Sequence, residues 1–173
     1  MTADAVPTID MLDEPWFTTL LRSTGHLAEN RAVAQAAPTR MGEAGVMSLL
    51  WRVKLDYDGP TEAPKSLIVK SATDDPHRLF IAQAAKFYAR EVRFYLELAH
   101  NAPVRTPRCF HAEIDAATSQ FLLVLEDVGD LRSVDQLVGC SYDDAVGALR
   151  PSPASMPGGG MWTSPILRRL SFQ

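Results

Sequence analysis

The chain has 173 residues, a hydrophobic content of 46%, a charged content of 22% and a formal net charge of -4. These values fit one soluble globular domain with a real core. The acidic balance argues against a general nucleic-acid binder, which carries a basic face. Apolar runs such as Phe121 to Leu125 are far too short to cross a bilayer, so no membrane partner is expected.

The N-terminus has no basic segment ahead of an apolar run, which predicts no secretory leader. Cys109 and Cys140 form neither a metal-ligand spacing nor a disulfide framework. They read as reduced thiols of a cytoplasmic protein.

The elements follow in chain order. Met11 to Leu27 reads as a helix with Trp16, Phe17, Leu20 and Leu21 on its apolar face, and Asp13 and Glu14 suit its first turn. Ala34 to Pro38 links into a first strand. Met41 to Ser48 places Gly42, Gly45 and Ser48 in a loop between strand-like segments. Leu49 to Tyr57 alternates Leu50, Arg52 and Lys54 against Trp51, Val53 and Leu55, the pattern of a half-buried strand. Asp58-Gly59-Pro60 breaks it. Ser66 to Val69 is the next strand, and Asp74-Asp75-Pro76 opens a long helical stretch. Pro103 and Pro107 close that region. Cys109 to Ile114 and Phe121 to Glu126 read as strands around a polar loop at Asp115. Ser141 or Asp143 then caps a last helix. The order predicts an α+β fold: a mainly antiparallel sheet of about five strands with one long packed helix.

Lys70 and Glu91 carry the most information. Lys70 ends the Ser66-Leu67-Ile68-Val69 run. Glu91 lies in the helical stretch from Phe80 to Leu98, with Phe87, Tyr88, Phe94 and Tyr95 at helical spacing around it. A carboxylate centred in an aromatic stripe is costly unless a cation meets it. The strand-end lysine is the natural cation. The bland alternative is a glutamate that snorkels to water beside a solvated lysine.

Residues 151–173 change character. They contain no acidic residue, four prolines (Pro151, Pro153, Pro157 and Pro165) and the run Gly158-Gly159-Gly160. Pro151 ends the preceding helix without an evident cap. Read one base out of frame, the codons open to this tail permit Leu-Ala-Arg-Leu-His-Ala-Arg-Trp-Trp-x-Val-Asp, an amphipathic helix continuing the interrupted one. The tail is therefore expected to be an aberrant frameshift product. A natural Pro/Gly-rich disordered terminus is the alternative.

Residues from about Trp16 to Arg150 resemble the N-terminal lobe of the aminoglycoside phosphotransferase and choline-kinase-like superfamily, and within it the ecdysteroid-kinase-like branch. The resemblance rests on Gly42 to Ser48, the strand to Lys70, Tyr88-Ala-Arg-Glu91-Val-Arg-Phe-Tyr95, Pro107-Arg-Cys, Phe121-Leu-Leu-Val-Leu-Glu-Asp127 and Gly139-Cys140. No one piece is specific; their order and spacing are. The resemblance implies a protein-kinase-like N-terminal lobe. It divides the chain into an N-terminal helical segment (1–33), a nucleotide-binding lobe (34–128), a connector with the start of a second-lobe helix (129–150) and the aberrant tail (151–173). It implies that Gly42, Gly45 and Ser48 cover the nucleotide phosphates, where glycine lets backbone N–H groups approach the oxygens. A plain hairpin loop is the alternative there. Lys70 would neutralise phosphate charge and Glu91 would hold it. Leu125, Glu126 and Asp127 would form a hinge whose main chain meets the adenine edge; as an alternative, Glu126 and Asp127 are ordinary polar residues ending a strand.

The departures from that family pattern bear on the chemistry. Phosphoryl transfer needs a group that positions the acceptor hydroxyl and a metal that bridges the phosphates. Such kinases carry these in a second, mostly helical lobe. Here His26, His77, His100 and His111 are scattered, and none lies in a His-Gly-Asp loop. Asp143-Asp144 reads as an acidic helix start, not a metal site. No catalytic or metal residue is therefore assigned. The expectation is a truncated ATP-dependent small-molecule O-phosphotransferase, inactive alone, with a partial ATP site. Magnesium and a hydroxyl acceptor would bind only a full-length parent. A stand-alone α+β interaction domain with no catalytic role is the alternative.

Overall fold

The computed structural model describes residues 5–41, 47–103, 105–129 and 139–149. The predicted loop residues Gly42 and Gly45 and the tail at 151–173 lie outside the described residues. The chain divides into two units, residues 1–100 with 107–132 and residues 101–106 with 133–173.

The first unit holds the sheet. Strands β1 (Val33–Arg40), β2 (Ser48–Tyr57), β3 (Ser66–Ala72), β4 (Cys109–Ile114) and β5 (Phe121–Glu126) lie in the order β1-β2-β3-β5-β4. Every neighbouring pair is antiparallel. The α+β class and the five-stranded antiparallel sheet are as expected from the sequence, and the architecture is that of a kinase-like N-lobe.

Helix α1 (Glu14–Ser23) packs on one face of the sheet. Asp13 caps it by accepting a hydrogen bond from the Trp16 N–H at 2.9 Å, and Pro15 fits the first turn, where its missing N–H costs nothing. The helix is shorter than the Met11–Leu27 reading. A 3-10 turn at Ile9–Met11 precedes it. Gly25, at φ +73, then reverses the backbone, and the His26 and Leu27 N–H groups fold back onto the Leu21 carbonyl. Phe17, Leu20 and Leu21 pack with Val53, Leu55, Leu67, Val69, Leu122 and Val124.

The opposite face carries the second core. Helix α2 (Pro76–Ala84) starts at Asp75, whose carboxylate accepts from the His77 and Arg78 N–H groups. The helical stretch does not continue unbroken. Lys86 adopts a left-handed backbone at φ +54, and helix α3 (Phe87–Arg93) begins on a new heading. A π-turn at Phe94–Leu98 follows it. The break points Tyr88 and Val92 at Ala72, Phe121, Leu123 and Leu125 of the sheet. It also leaves Phe87, part of the predicted stripe, 40% exposed.

Strand β5 lies between the two cores. Leu122 and Val124 belong to the α1 side, and Phe121, Leu123 and Leu125 to the α3 side. Burial on both faces explains why the strand reads as an unbroken apolar run rather than an alternating one. In the second unit, helix α4 (Tyr142–Leu149) is capped by Ser141: its Oγ accepts from the Asp144 N–H at 3.2 Å and donates to the Asp144 carboxylate at 2.7 Å.

Candidate functional site

Residues opposite one another in an antiparallel ladder share a face of the sheet. Leu50 pairs with Lys70 and Arg52 with Ile68; Ile68 in turn pairs with Leu125, and Lys70 with Leu123. Leu50, Arg52, Ile68, Lys70 and Leu125 therefore stand on one face, the face that carries α3. Lys70 lies two residues before the end of β3 rather than at its last position.

Lys70 and Glu91 meet. The Lys70 ammonium donates to Glu91 Oε1, and the two side chains are 19% and 32% exposed. Both groups are thus partly shielded, and each meets its opposite charge. The Glu91 charge is felt nearby. Burial first, then the Glu91 charge, pushes the Tyr95 phenol up to about 12.

Tyr88, one turn before Glu91, is buried and stacks on Phe121 with ring centroids 4.4 Å apart. Its hydroxyl donates to the Met47 carbonyl and accepts from the Thr73 N–H at 3.2 Å. Burial raises the Tyr88 phenol pKa, and the Thr73 N–H offsets part of that rise. One hydroxyl thereby links α3, the residue after β3 and the segment just before β2.

At the other end of this face, β5 runs out through Leu125, Glu126 and Asp127. Leu125 is buried between Ile68 and Cys109. The Glu126 N–H donates to the Arg108 carbonyl at 2.8 Å, and its carboxylate accepts from the Arg108 N–H at 3.1 Å. Asp127 accepts from Arg52 twice, Nε to Oδ2 at 2.7 Å and Nη2 to Oδ1 at 3.2 Å, and from the Ser66 hydroxyl at 2.7 Å and the Gly129 N–H at 2.9 Å. Burial alone would raise the Asp127 pKa. The Ser66 and Arg52 hydrogen bonds, the Gly129 N–H and the Arg52 charge outweigh it, and the net value lies below the ordinary carboxylate range.

The structure therefore brings Lys70 and Glu91 together and sets Leu125, Glu126 and Asp127 in one exit segment beside them. Ser48 opens β2 opposite Ala72. Sequence reasoning did not single out Leu50, Arg52, Ser66, Ile68 or Tyr88 for this site. The β2 alternation did set Leu50 and Arg52 on the Lys54 side, but nothing local links that side to Asp127, 75 residues downstream. The face offers an ammonium at one end, an apolar lane of half-buried Leu50 and Ile68 in the middle and main chain at the other end. That arrangement suits a flat apolar ring joined to an anion. Among the described residues no group of three or more His, Cys, Asp or Glu is placed to hold a metal ion.

The ecdysteroid kinase-like family model matches residues 42–150. The chain belongs to this family. A search of curated proteins found no match. The ecdysteroid kinase-like family is one of kinase-like phosphotransferases, and its full-length members imply ATP, magnesium and small-molecule substrates. Among the described residues, no helix is long and apolar enough to cross a membrane.

Proposed function

We propose that this chain is the nucleotide-binding lobe of an ATP-dependent small-molecule O-phosphotransferase. The observation that carries the reading is the Lys70–Glu91 contact on the same face as Leu50, Ile68 and the Leu125–Asp127 exit. ATP would lie with its phosphates at Lys70, its base over Leu50 and Ile68 and its adenine edge at the main chain of Glu126 and Asp127. Glu91 holds the Lys70 ammonium at the phosphate end, so its position is set before the ligand arrives. Gly42, Gly45 and Ser48 would contribute backbone N–H groups over the phosphates. Bound ATP supplies the transferable phosphoryl group; the residues of this lobe bind and orient it. The acceptor hydroxyl and its magnesium-dependent transfer belong to a second lobe, so this lobe alone would not turn over.

The domain reading follows: a nucleotide lobe at 34–128 after an N-terminal helical segment, a connector with the start of a second-lobe helix at 129–150, and an out-of-frame tail at 151–173. The expected place of work is the cytoplasm, where ATP is abundant.

The test is a titration of the 173-residue chain with ATP, adenosine and inorganic phosphate. ATP should bind more tightly than adenosine, and Lys70→Ala should remove that difference while leaving adenosine binding intact. Equal binding of ATP by the wild type and Lys70→Ala would overturn the assignment. A stand-alone interaction domain remains the second reading, because Phe80, Leu96 and Leu98 expose apolar side chains at 70%, 60% and 60%. Absence of any adenosine or ATP binding favours it.

A further inference from the structure

Asp127 is held more firmly than a strand end requires. Four donors converge on its one carboxylate: Arg52 Nε and Nη2, the Ser66 hydroxyl and the Gly129 N–H. They come from β2, from β3 and from the chain leaving the sheet. The Asp127 side chain is only 8% exposed, while that of Arg52 is 37% exposed. The planar guanidinium matches the carboxylate with two parallel bonds, which fixes direction as well as distance. The Arg52 side chain starts opposite Ile68, so its fork reaches across the sheet face from β2 to the exit of β5.

Gly129 shows how tightly the segment is wrapped. A Cβ there would stand 2.5 Å from Arg52 Nη2 and 2.8 Å from Asp127 Oδ1. No side chain fits without pushing the fork apart. On the other side of the exit, Glu126 is bound through both its N–H and its carboxylate to Arg108. The backbone from Glu126 to Gly129 is therefore clamped from two directions.

We propose that Arg52 is a positioning residue for the nucleotide. It acts through Asp127, by fixing the course of the main chain from Glu126 to Gly129 against which the adenine edge docks. It does not act as a second phosphate cation beside Lys70. This role rests on the nucleotide reading above. In the ladder Lys70 lies opposite Leu50, and Arg52 lies one same-face position further toward the β5 exit, with its guanidinium already committed to Asp127. A cation that binds phosphate acts on ATP and not on adenosine. A clamp that shapes the base site acts on both alike.

The experiment uses the 173-residue chain and two readouts. ATP and adenosine are titrated into the wild type, Arg52→Ala, Arg52→Lys and Gly129→Ala, and amide exchange of Gly129 is followed by NMR without ligand. Arg52→Ala should weaken ATP and adenosine by the same factor, about tenfold for a lost charged hydrogen-bond pair. The Gly129 amide should exchange faster by a similar factor. Arg52→Lys should recover only part, because an ammonium cannot fork. Should Arg52→Ala fail to fold, Gly129→Ala perturbs the same clamp from outside the sheet and should weaken both ligands equally. Weakened ATP with unchanged adenosine would make Arg52 a phosphate residue and overturn the proposal. So would a Gly129 amide indifferent to Arg52→Ala. If the wild type binds neither ligand, the nucleotide reading falls on its own, and Gly129 exchange alone decides whether the clamp exists.

Discussion

The hydroxyl of Tyr88 donates to the carbonyl of Met47, so the helix that carries Glu91 is tied to the chain entering β2. The same oxygen accepts from the Thr73 N–H, just past the end of the strand that carries Lys70. Tyr88→Phe keeps the ring and its stack on Phe121 but leaves a buried N–H and a carbonyl without their partner. Such an orphaned pair costs about 1–3 kcal/mol. Urea unfolding should show that loss with an unchanged slope. An unchanged midpoint would mean that the hydroxyl bonds do not hold the helix.

The Lys70–Glu91 pair should matter for charge placement more than for stability. Glu91→Leu alone strands the Lys70 ammonium in a partly shielded site and should destabilise the fold. Lys70→Met with Glu91→Leu should regain most of that loss, because an apolar pair of similar size avoids the desolvation penalty. The double variant should nevertheless lose the preference for ATP over adenosine that the proposed function assigns to the wild type. Denaturation and nucleotide titration on the wild type, Glu91→Leu and the double variant check both halves. A double variant less stable than Glu91→Leu would contradict the argument.

Acid should loosen the Asp127 clamp. Its folded pKa lies below the ordinary value because four donors favour the charged form. The unfolded chain therefore takes up the proton first as pH falls. The stabilisation is fully present above about pH 4, the usual carboxylate value, and is lost as pH drops through the lower folded value. Asp127→Asn removes this dependence. The stability gap between wild type and Asp127→Asn, measured by urea unfolding, should be widest near neutrality and shrink below about pH 4. A gap that grows in acid would reverse the sign.

Alkali should act on the buried phenols, and most on Tyr57 and Tyr95. Burial pushes Tyr57 and Tyr95 up to about 12. The unfolded chain ionises first, near pH 10, so stability is complete below about 10 and falls as pH rises toward 12. The Tyr57 hydroxyl also donates to the Pro64 carbonyl at 2.6 Å, a bond that ionisation removes. Tyr95→Phe should flatten the alkaline limb without losing such a bond. An alkaline limb identical in wild type and Tyr95→Phe would exclude its contribution.

Lys86 holds a left-handed backbone that glycine adopts without steric cost. Lys86→Gly should stabilise the fold by about 0.5 kcal/mol, the steric relief less the added freedom of the unfolded chain. A clear loss of stability would mean that the lysine side chain contributes more than its backbone costs.

Much of this fold was legible because its signals are local. The strands at Cys109–Ile114 and Phe121–Glu126 stood out as apolar runs on either side of Asp115, whose carboxylate folds the loop by accepting from the Ala117 N–H and the Thr118 hydroxyl. The Lys70–Glu91 contact was legible as one carboxylate interrupting an aromatic stripe. The break at Lys86 was not, because no glycine or proline marks it, and so the exposure of Phe87 was missed. The Arg52–Asp127 clamp had no signal in either segment. It exists because β5 inserts beside β3 rather than at the edge, which brings Asp127 within reach of β2 and β3.

The position of β5 also bears on how the sheet unit comes apart. One strand serves as the shared wall of both hydrophobic layers, alternate side chains feeding each. Neither layer can open without exposing the backbone that the other leans on. The sheet unit should therefore melt in a single cooperative step, with the Leu122 to Leu125 amides the last to exchange. Asp127 follows directly from that strand, so the exit segment and its Arg52 clamp are anchored to the strand that both layers hold.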